Sequence, residues 1–255
     1  MPRVLSVVSQ KGGVGKTTTA INLAAALARL GMKTLLVDAD PQGSVRYGLG
    51  LNSGTTRIGL SDFISGTLDL ADVVRATPLP WLRVVPAGGV TDSMTQDTYY
   101  RELAESPRTR ELFDRARERG YTVIVDTPPG LGPVVHRVLA CSQRVLVPLQ
   151  CEPLALQTTA QILRGIRGAL AENPELVMEG ILLTMMDANN PASERVASYV
   201  REQLPAGLVL DVAVPRTAGS VEAFAAGQPI VLRDPDDPAA VAYRALAERL
   251  APHLE

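Results

Sequence analysis

Gln10-Lys11-Gly12-Gly13-Val14-Gly15-Lys16-Thr17-Thr18 lies between an apolar run, Val4 to Val8, and a long Ala/Leu-rich segment. The run predicts a buried strand and the segment a helix, so these nine residues occupy the strand-to-helix turn where a phosphate-binding loop belongs. The fingerprint G-x-x-x-x-G-K-[ST] is met with one substitution: Gln10 stands where the first glycine would be, and a second lysine, Lys11, follows it. Glycines at 12, 13 and 15 permit positive φ and let successive N–H groups surround an anion with no Cβ in the way. Lys16 then reaches the β- and γ-phosphates, the positive end of the helix faces the same anion, and the Thr17 hydroxyl suits Mg²⁺. A plain glycine turn would require neither the lysine nor the threonine.

At 255 residues, 46% of them hydrophobic, the chain is long enough for one large α/β domain, read as 1–255. Apolar runs stay short of the 18 or so residues that span a bilayer, and the N-terminus has no leader pattern, so the expectation is a soluble, cytoplasmic protein. Cys141 and Cys151 lack metal-type spacing and His136 and His253 complete no ligand set, which predicts reduced thiols and no structural metal. The net charge of −2 argues against nucleic-acid binding through bulk basicity. Its distribution is uneven: residues 1–150 hold 17 basic against 13 acidic side chains, and residues 151–255 hold 8 against 14.

Along the chain, Ala20, Leu23, Ala24, Leu27 and Leu30 recur at helical spacing, and Gly31 is placed to end that helix. The short strand Thr34–Val37 delivers Asp38 and Asp40 at its carboxyl end, in Val37-Asp38-Ala39-Asp40-Pro41-Gln42-Gly43, the edge where ligands sit in open α/β sheets. Residues 43–80 read as surface loops and short helices around the islands 60–64 and 68–74. Leu82–Val85 is the next strand, and 107–119 an amphipathic helix whose five arginines, interleaved with acids, suggest a solvated face. A further apolar strand ends in Asp126, followed by Thr127-Pro128-Pro129-Gly130; a strand-terminal aspartate downstream of a phosphate loop is the Walker B pattern, a magnesium site. Strands at 144–149, 177–184 and 208–214 alternate with helices at 153–171, 191–204, 220–226 and 238–250. On the 153–171 helix, Leu156, Leu163, Ile166 and Leu170 form one apolar side. Seven strands alternating with helices predict a doubly wound, mostly parallel sheet flanked by helices, a P-loop NTPase architecture.

K-G-G-V-G-K-T-T-T-A-I-N-L-A-A resembles the deviant Walker A motif of the ParA/MinD group of P-loop ATPases, in particular the ParA (Soj) partition branch, and the likeness runs with gaps over nearly the whole chain. The resemblance implies ATP and Mg²⁺ as cofactors, slow hydrolysis, and a homodimer in ATP. It implies that Lys11 crosses to the partner subunit's nucleotide, that Asp40 orders the attacking water near Mg²⁺, and that Asp126 holds the metal largely through water. Nucleotide contacts are then expected from Lys11, Gly12, Gly13, Val14, Gly15, Lys16, Thr17 and Thr18, with Pro215 and Arg216 beside the adenine. Catalytic roles fall to Lys11, Lys16 and Asp40, and metal roles to Thr17, Asp40 and Asp126. The implied biology is plasmid or chromosome partition in the bacterial cytoplasm, through ATP-dependent non-specific DNA binding, nucleoid association and a ParB-like adaptor that stimulates hydrolysis.

Competing expectations are a positioning ATPase for a non-DNA cargo, a MinD-like membrane-surface ATPase, an iron–sulfur reductase component and an ATP-locked scaffold. The polar tail 239–255 weighs against the second, predicting no stable membrane anchor, and the cysteine placement weighs against the third. The DNA segment departs from the family. Where relatives resemble I-P-R-N-V-R-L-S-E-A, this chain reads Val214-Pro215-Arg216-Thr217-Ala218-Gly219-Ser220-Val221-Glu222-Ala223, with Gly219 in place of the second arginine. The stretch 185–190 has no basic residue either. Arg164, Arg167, Arg195 and Arg201 are the remaining candidates, and the expectation is weak, salt-sensitive binding.

Overall fold

The computed structural model describes residues 1–51, 54–90, 93–152, 155–187 and 189–255, with the backbone alone at 155–158. Among these residues eight strands form one sheet: β1 (Val4–Val7), β2 (Thr34–Asp38), β3 (Arg75–Ala76), β4 (Leu82–Val85), β5 (Thr122–Asp126), β6 (Arg144–Gln150), β7 (Val177–Met186) and β8 (Val209–Pro215). Their order is β3-β4-β2-β5-β1-β6-β7-β8. Every pairing is parallel except that of the two-residue edge strand β3 on β4. The seven expected strands are therefore present, and the eighth is this short antiparallel edge.

Among the described residues twelve helices flank the sheet: α1 (Lys16–Arg29), α2 (Val45–Gly48), α3 (Leu60–Ile64), α4 (Leu70–Val73), α5 (Ser93–Glu105), α6 (Arg108–Glu118), α7 (Pro133–Ala140), α8 (Ala155–Glu172), α9 (Pro191–Gln203), α10 (Ala218–Ala225), α11 (Ile230–Arg233) and α12 (Pro238–Leu254). Alternation along each buried strand sends side chains to opposite faces. In β5, Ile124 joins the layer built by α1, α11 and α12, while Val123 and Val125 join the layer of α3 to α7. On that second face, beyond β1, Val145, Val147, Ile181 and Leu183 pack under α8 and α9. The alanines of α1 (Ala20, Ala24, Ala25, Ala28) are buried and let it lie close to the sheet and to α12. It ends as the spacing predicts: Gly31 N–H bonds the Ala28 carbonyl and Met32 N–H the Leu27 carbonyl, with Gly31 at φ 86°.

Four expectations need correction or extension. Residues 43–80 are not merely surface, because Leu60, Phe63, Ile64, Leu70 and Val73 are core residues of the second face. The arginines of α6 do lie on a partly exposed face interleaved with acids, but most of them are also engaged in hydrogen bonds that the sequence does not reveal. Arg115 grips Asp69 through two bonds of 2.6 and 2.8 Å, Arg117 bonds the Pro2 carbonyl, Arg110 the Ala140 carbonyl, and Arg108 covers the Phe63 ring. On α8 the buried side is Ile162, Ile166 and Ala169, with Leu170 exposed; the expected start at Pro153 and the Leu156 side chain lie outside the described residues. Finally, β7 runs two residues past Thr184, through Met185 and Met186, which the sequence places in a loop; Ala188 of that loop lies outside the described residues.

Candidate nucleotide site

Parallel strands deliver their carboxyl ends to one edge, and there the loop between β1 and α1 meets the aspartates of β2 and β5. Gly13 and Gly15 take φ of 77° and 86°; Gly12 does not need a positive φ. A Cβ on Gly12 or Gly13 would meet no atom within 4 Å, so the loop has open space beside it. Gly15 caps α1, its carbonyl taking the first helical bond from Thr19 N–H at 2.8 Å. No acidic residue occupies the first turn, which leaves the positive end of α1 unneutralised and favours an anion. Ser9 braces the loop, its hydroxyl donating to the Lys11 carbonyl at 2.8 Å, and Gly130 N–H donates to the Ser9 carbonyl at 2.9 Å.

Asp38 and Asp126 are register partners on neighbouring strands, both with carboxylates fully shielded from solvent. Asp38 is satisfied by backbone, accepting from Asp40 N–H and Val45 N–H at 3.2 Å each, and so pins the loop that carries Asp40. Burial, then the charges of Asp126 and Asp40, push its pKa well above the usual carboxylate range. Asp126 is different: neither oxygen accepts a hydrogen bond from the described residues. Burial pushes its pKa up to about 7, against the pull of the Thr17 hydroxyl and of Lys16. A buried, unsatisfied carboxylate facing the foot of the phosphate loop is a costly arrangement unless a cation or its waters complete it. The residues present therefore fit a magnesium ion, with Thr17 and Asp126 as the groups that would hold it. Asp40 is mostly buried; its Oδ1 accepts from Gln42 N–H at 3.0 Å, and desolvation raises its pKa while Gln42 and Lys16 lower it. Lys16 is itself almost wholly buried beside these acids.

Lys11 lies apart from this cluster, half-exposed on the rim, with its ammonium 2.6 Å from Oε1 of Glu152 just past β6. Beside the loop a cavity of about 470 Å³ is bounded by Gly15 and Thr18, by Thr184 and Met185 of β7, by Pro215 and Arg216, and by Val221 and Phe224 of α10. Its walls are mainly apolar, as a nucleobase requires. Pro215 and Arg216 are thus brought to the loop across some 200 residues of sequence. The β7 residues, α10 and Tyr243 of α12 were not singled out from sequence, since they share no motif and meet only through the sheet order. Nor was α5, which brings Tyr99 into the core beneath the Asp38–Asp40 strand end, with its hydroxyl buried and unsatisfied. A separate cleft of about 370 Å³, lined in part by Leu35, Arg83 and Tyr121, lies at the other end of β2 and β5 and holds no such constellation.

Residues 2–178 match the family model of the AAA domain. The chain is 40% identical, over 97% of its length and 93% of the relative's, to the chromosome partitioning protein ParA of Caulobacter vibrioides. It is 34% identical, over 98% and 99%, to the sporulation initiation inhibitor protein Soj of Bacillus subtilis. Among solved structures it resembles the cobyrinic acid a,c-diamide synthase of Mycobacterium smegmatis with bound ADP and magnesium, at 30% identity and a TM-score of 0.79, covering 99% of this chain and 95% of that one.

Proposed function

Because the chain belongs to the ParA/MinD family of P-loop ATPases, with relatives of the ParA/Soj kind along nearly its whole length, we propose that it is a Mg-ATP-dependent dimerisation switch serving partition. The observation that carries this reading is the meeting, at one sheet edge, of an open phosphate loop, an unsatisfied buried Asp126 and a buried Asp40, with Lys11 on the rim. Phosphoryl transfer to water requires positioning and charge neutralisation more than covalent chemistry. The loop amides and Lys16 grip the phosphates, and the cavity behind Gly15 takes the base between Met185 and the Pro215–Arg216 segment. Thr17 and Asp126 would hold Mg²⁺, which would supply charge neutralisation at the phosphates. Asp40, held by Asp38 and Gln42, orients the attacking water and takes no part in gripping the phosphates.

Lys11 acts in trans. In the single chain its ammonium is held by Glu152, but an exposed pair of this sort is worth about 0–1 kcal/mol, so it is readily exchanged for a partner's phosphate. A cation supplied in trans to the transferring phosphoryl group is worth roughly 10³–10⁵ in rate. The test is light scattering with ATPase assay. Asp40→Ala should bind ATP and accumulate as a dimer with hydrolysis lost, whereas Lys11→Ala should bind ATP and remain monomeric; ATP-dependent dimers of Lys11→Ala would refute the role in trans.

For the cargo, DNA is favoured over a membrane. The apolar stripe of α12 (Ala240, Tyr243, Leu246, Ala247, Leu250, Leu254) is buried in the core, leaving no amphipathic face to lie on lipid. Arg164 and Arg167 of α8 and Arg195 and Arg201 of α9 are exposed, make no ion pair among the described residues, and stand on helices that pack together. A ParB-like adaptor then accelerates hydrolysis and releases the dimer.

A further inference from the structure

Thr184, in β7, is buried, and its hydroxyl donates a 2.9 Å hydrogen bond to the carbonyl of Val14, 170 residues earlier, inside the phosphate loop. This bond ties the far half of the sheet directly to the loop. The Thr184 carbonyl is held in turn by Cys151 N–H, and the next residue, Met185, kinks β7 at φ 53°, the only non-glycine residue with positive φ among those described. Such a conformation in a bulky residue persists only where its surroundings over-determine it. The Met185 side chain lies between the loop and the end of β8: its methyl lies 3.8 Å from where a Cβ on Gly15 would be, and its sulfur lies 3.8 Å from Nη2 of Arg216.

We propose that Thr184 is a positioning residue for the phosphate loop, setting which way the Gly15 N–H points. The claim rests on the reading of residues 10–18 as a nucleotide phosphate site. In a planar trans peptide the carbonyl of one residue and the N–H of the next point in opposite directions. Fixing the Val14 carbonyl toward β7 therefore turns the Gly15 N–H away from β7 and into the cradle, where it is ready for a phosphate oxygen. Without the hydroxyl, that peptide plane is free to rotate, the competent loop is populated for only a fraction of the time, and apparent affinity falls by that fraction. The tie acts on the loop, so it affects every ligand with a polyphosphate chain and is indifferent to the base.

The experiment compares Mg-ATP with Mg-tripolyphosphate, which has no base, by calorimetric titration of the full chain and of Thr184→Val and Thr184→Ser. The valine variant keeps the shape and should lose roughly five- to twentyfold in affinity for both compounds alike, the loss of one buried hydrogen bond. The serine variant should stay within about twofold of the unaltered protein, since the hydroxyl is restored. Unchanged tripolyphosphate binding by Thr184→Val, a loss confined to ATP, or a serine variant as weak as the valine would each overturn the proposal. Hydrogen exchange on the unaltered protein supplies a check that needs no variant: Mg-tripolyphosphate should protect the amides of Gly15 and of 184–185 together, and protection restricted to the loop would contradict the tie. Failure of the unaltered protein to bind either compound would overturn the nucleotide reading itself, and this inference with it.

Discussion

At the scale of single residues, environment rather than identity decides chemistry. Asp38, Asp40 and Asp126 are three aspartates at one edge, yet the first is satisfied by backbone amides, the second is braced by Gln42, and the third is left without a partner. Cys151 shows the same principle in a group that can be titrated cleanly. Burial raises its thiol to about 11, with Arg201 opposing only weakly. The pKa is raised, so the reactive thiolate is scarce below that value and grows about tenfold for each pH unit toward it. Allowing for the greater nucleophilicity of a more basic thiolate, carbamidomethylation of Cys151 at pH 8 should be roughly ten- to twentyfold slower than in the urea-unfolded chain. Peptide-resolved mass spectrometry from pH 8 to 10 checks this, and equal folded and unfolded rates at pH 8 would show that the thiol is not desolvated. Gly219 illustrates a constraint of space. A Cβ there would fall 2.4 Å from Oδ2 of Asp237, whose side chain also caps α12, so the arginine found at this point in the family pattern has no room here.

At the scale of elements, periodicity is informative where an element has one buried stripe and silent where it does not. Helix α5 is mostly polar and buries only Tyr99 and Leu103, too few to raise a pattern in Ser93–Glu105, so it escapes a sequence reading although it packs against α7. Strand β3 has no sequence signature at all; it exists because Arg75 and Ala76 find Val84 and Arg83 to pair with. In α12 the stripe is plain, and its energetic weight can be measured. Leu246 is fully buried between α1 and the sheet, so Leu246→Ala should cost about 2–5 kcal/mol and lower the melting temperature by roughly 5–15 °C. Val241, exposed on the same helix, should change stability by no more than about 0.5 kcal/mol when replaced by alanine. Calorimetry on the two variants separates a core helix from a surface helix; a Val241→Ala loss equal to that of Leu246→Ala would place the wrong face inward.

At the scale of the whole molecule, the proposed DNA binding by an acidic chain would have to be local and gained through doubling. With four exposed arginines on α8 and α9 of each subunit that make no ion pair among the described residues, these helices offer a dimer at most eight cations, and Glu194 and Glu202 on α9 detract from them. Counterion release then limits the log–log salt slope to about −7. Binding of a labelled duplex by the ATP-held Asp40→Ala dimer should thus be present at about 50 mM salt and nearly gone at about 200 mM. Arg164→Glu and Arg167→Glu together should abolish it while leaving ATP-dependent dimerisation intact. No binding even at the low salt would move the cargo away from DNA, and tight binding at the high salt would reveal a basic surface elsewhere.

Sequence alone determined the parts whose chemistry demands particular residues at particular spacings: the loop 10–18, the strand-end aspartates at 40 and 126, and the parallel α/β architecture that brings strand ends to one edge. These are local, because a turn, a cap or a strand terminus is specified by its own few residues. Tertiary structure alone decided what depends on distance. It was the strand order that set Asp38 beside Asp126, carried Thr184 to Val14, placed Pro215 and Arg216 against Gly15, and joined Lys11 to Glu152. Contacts of this kind join residues 88 to some 200 positions apart, and no periodicity within either segment records its partner; only burial against a common sheet brings the two together.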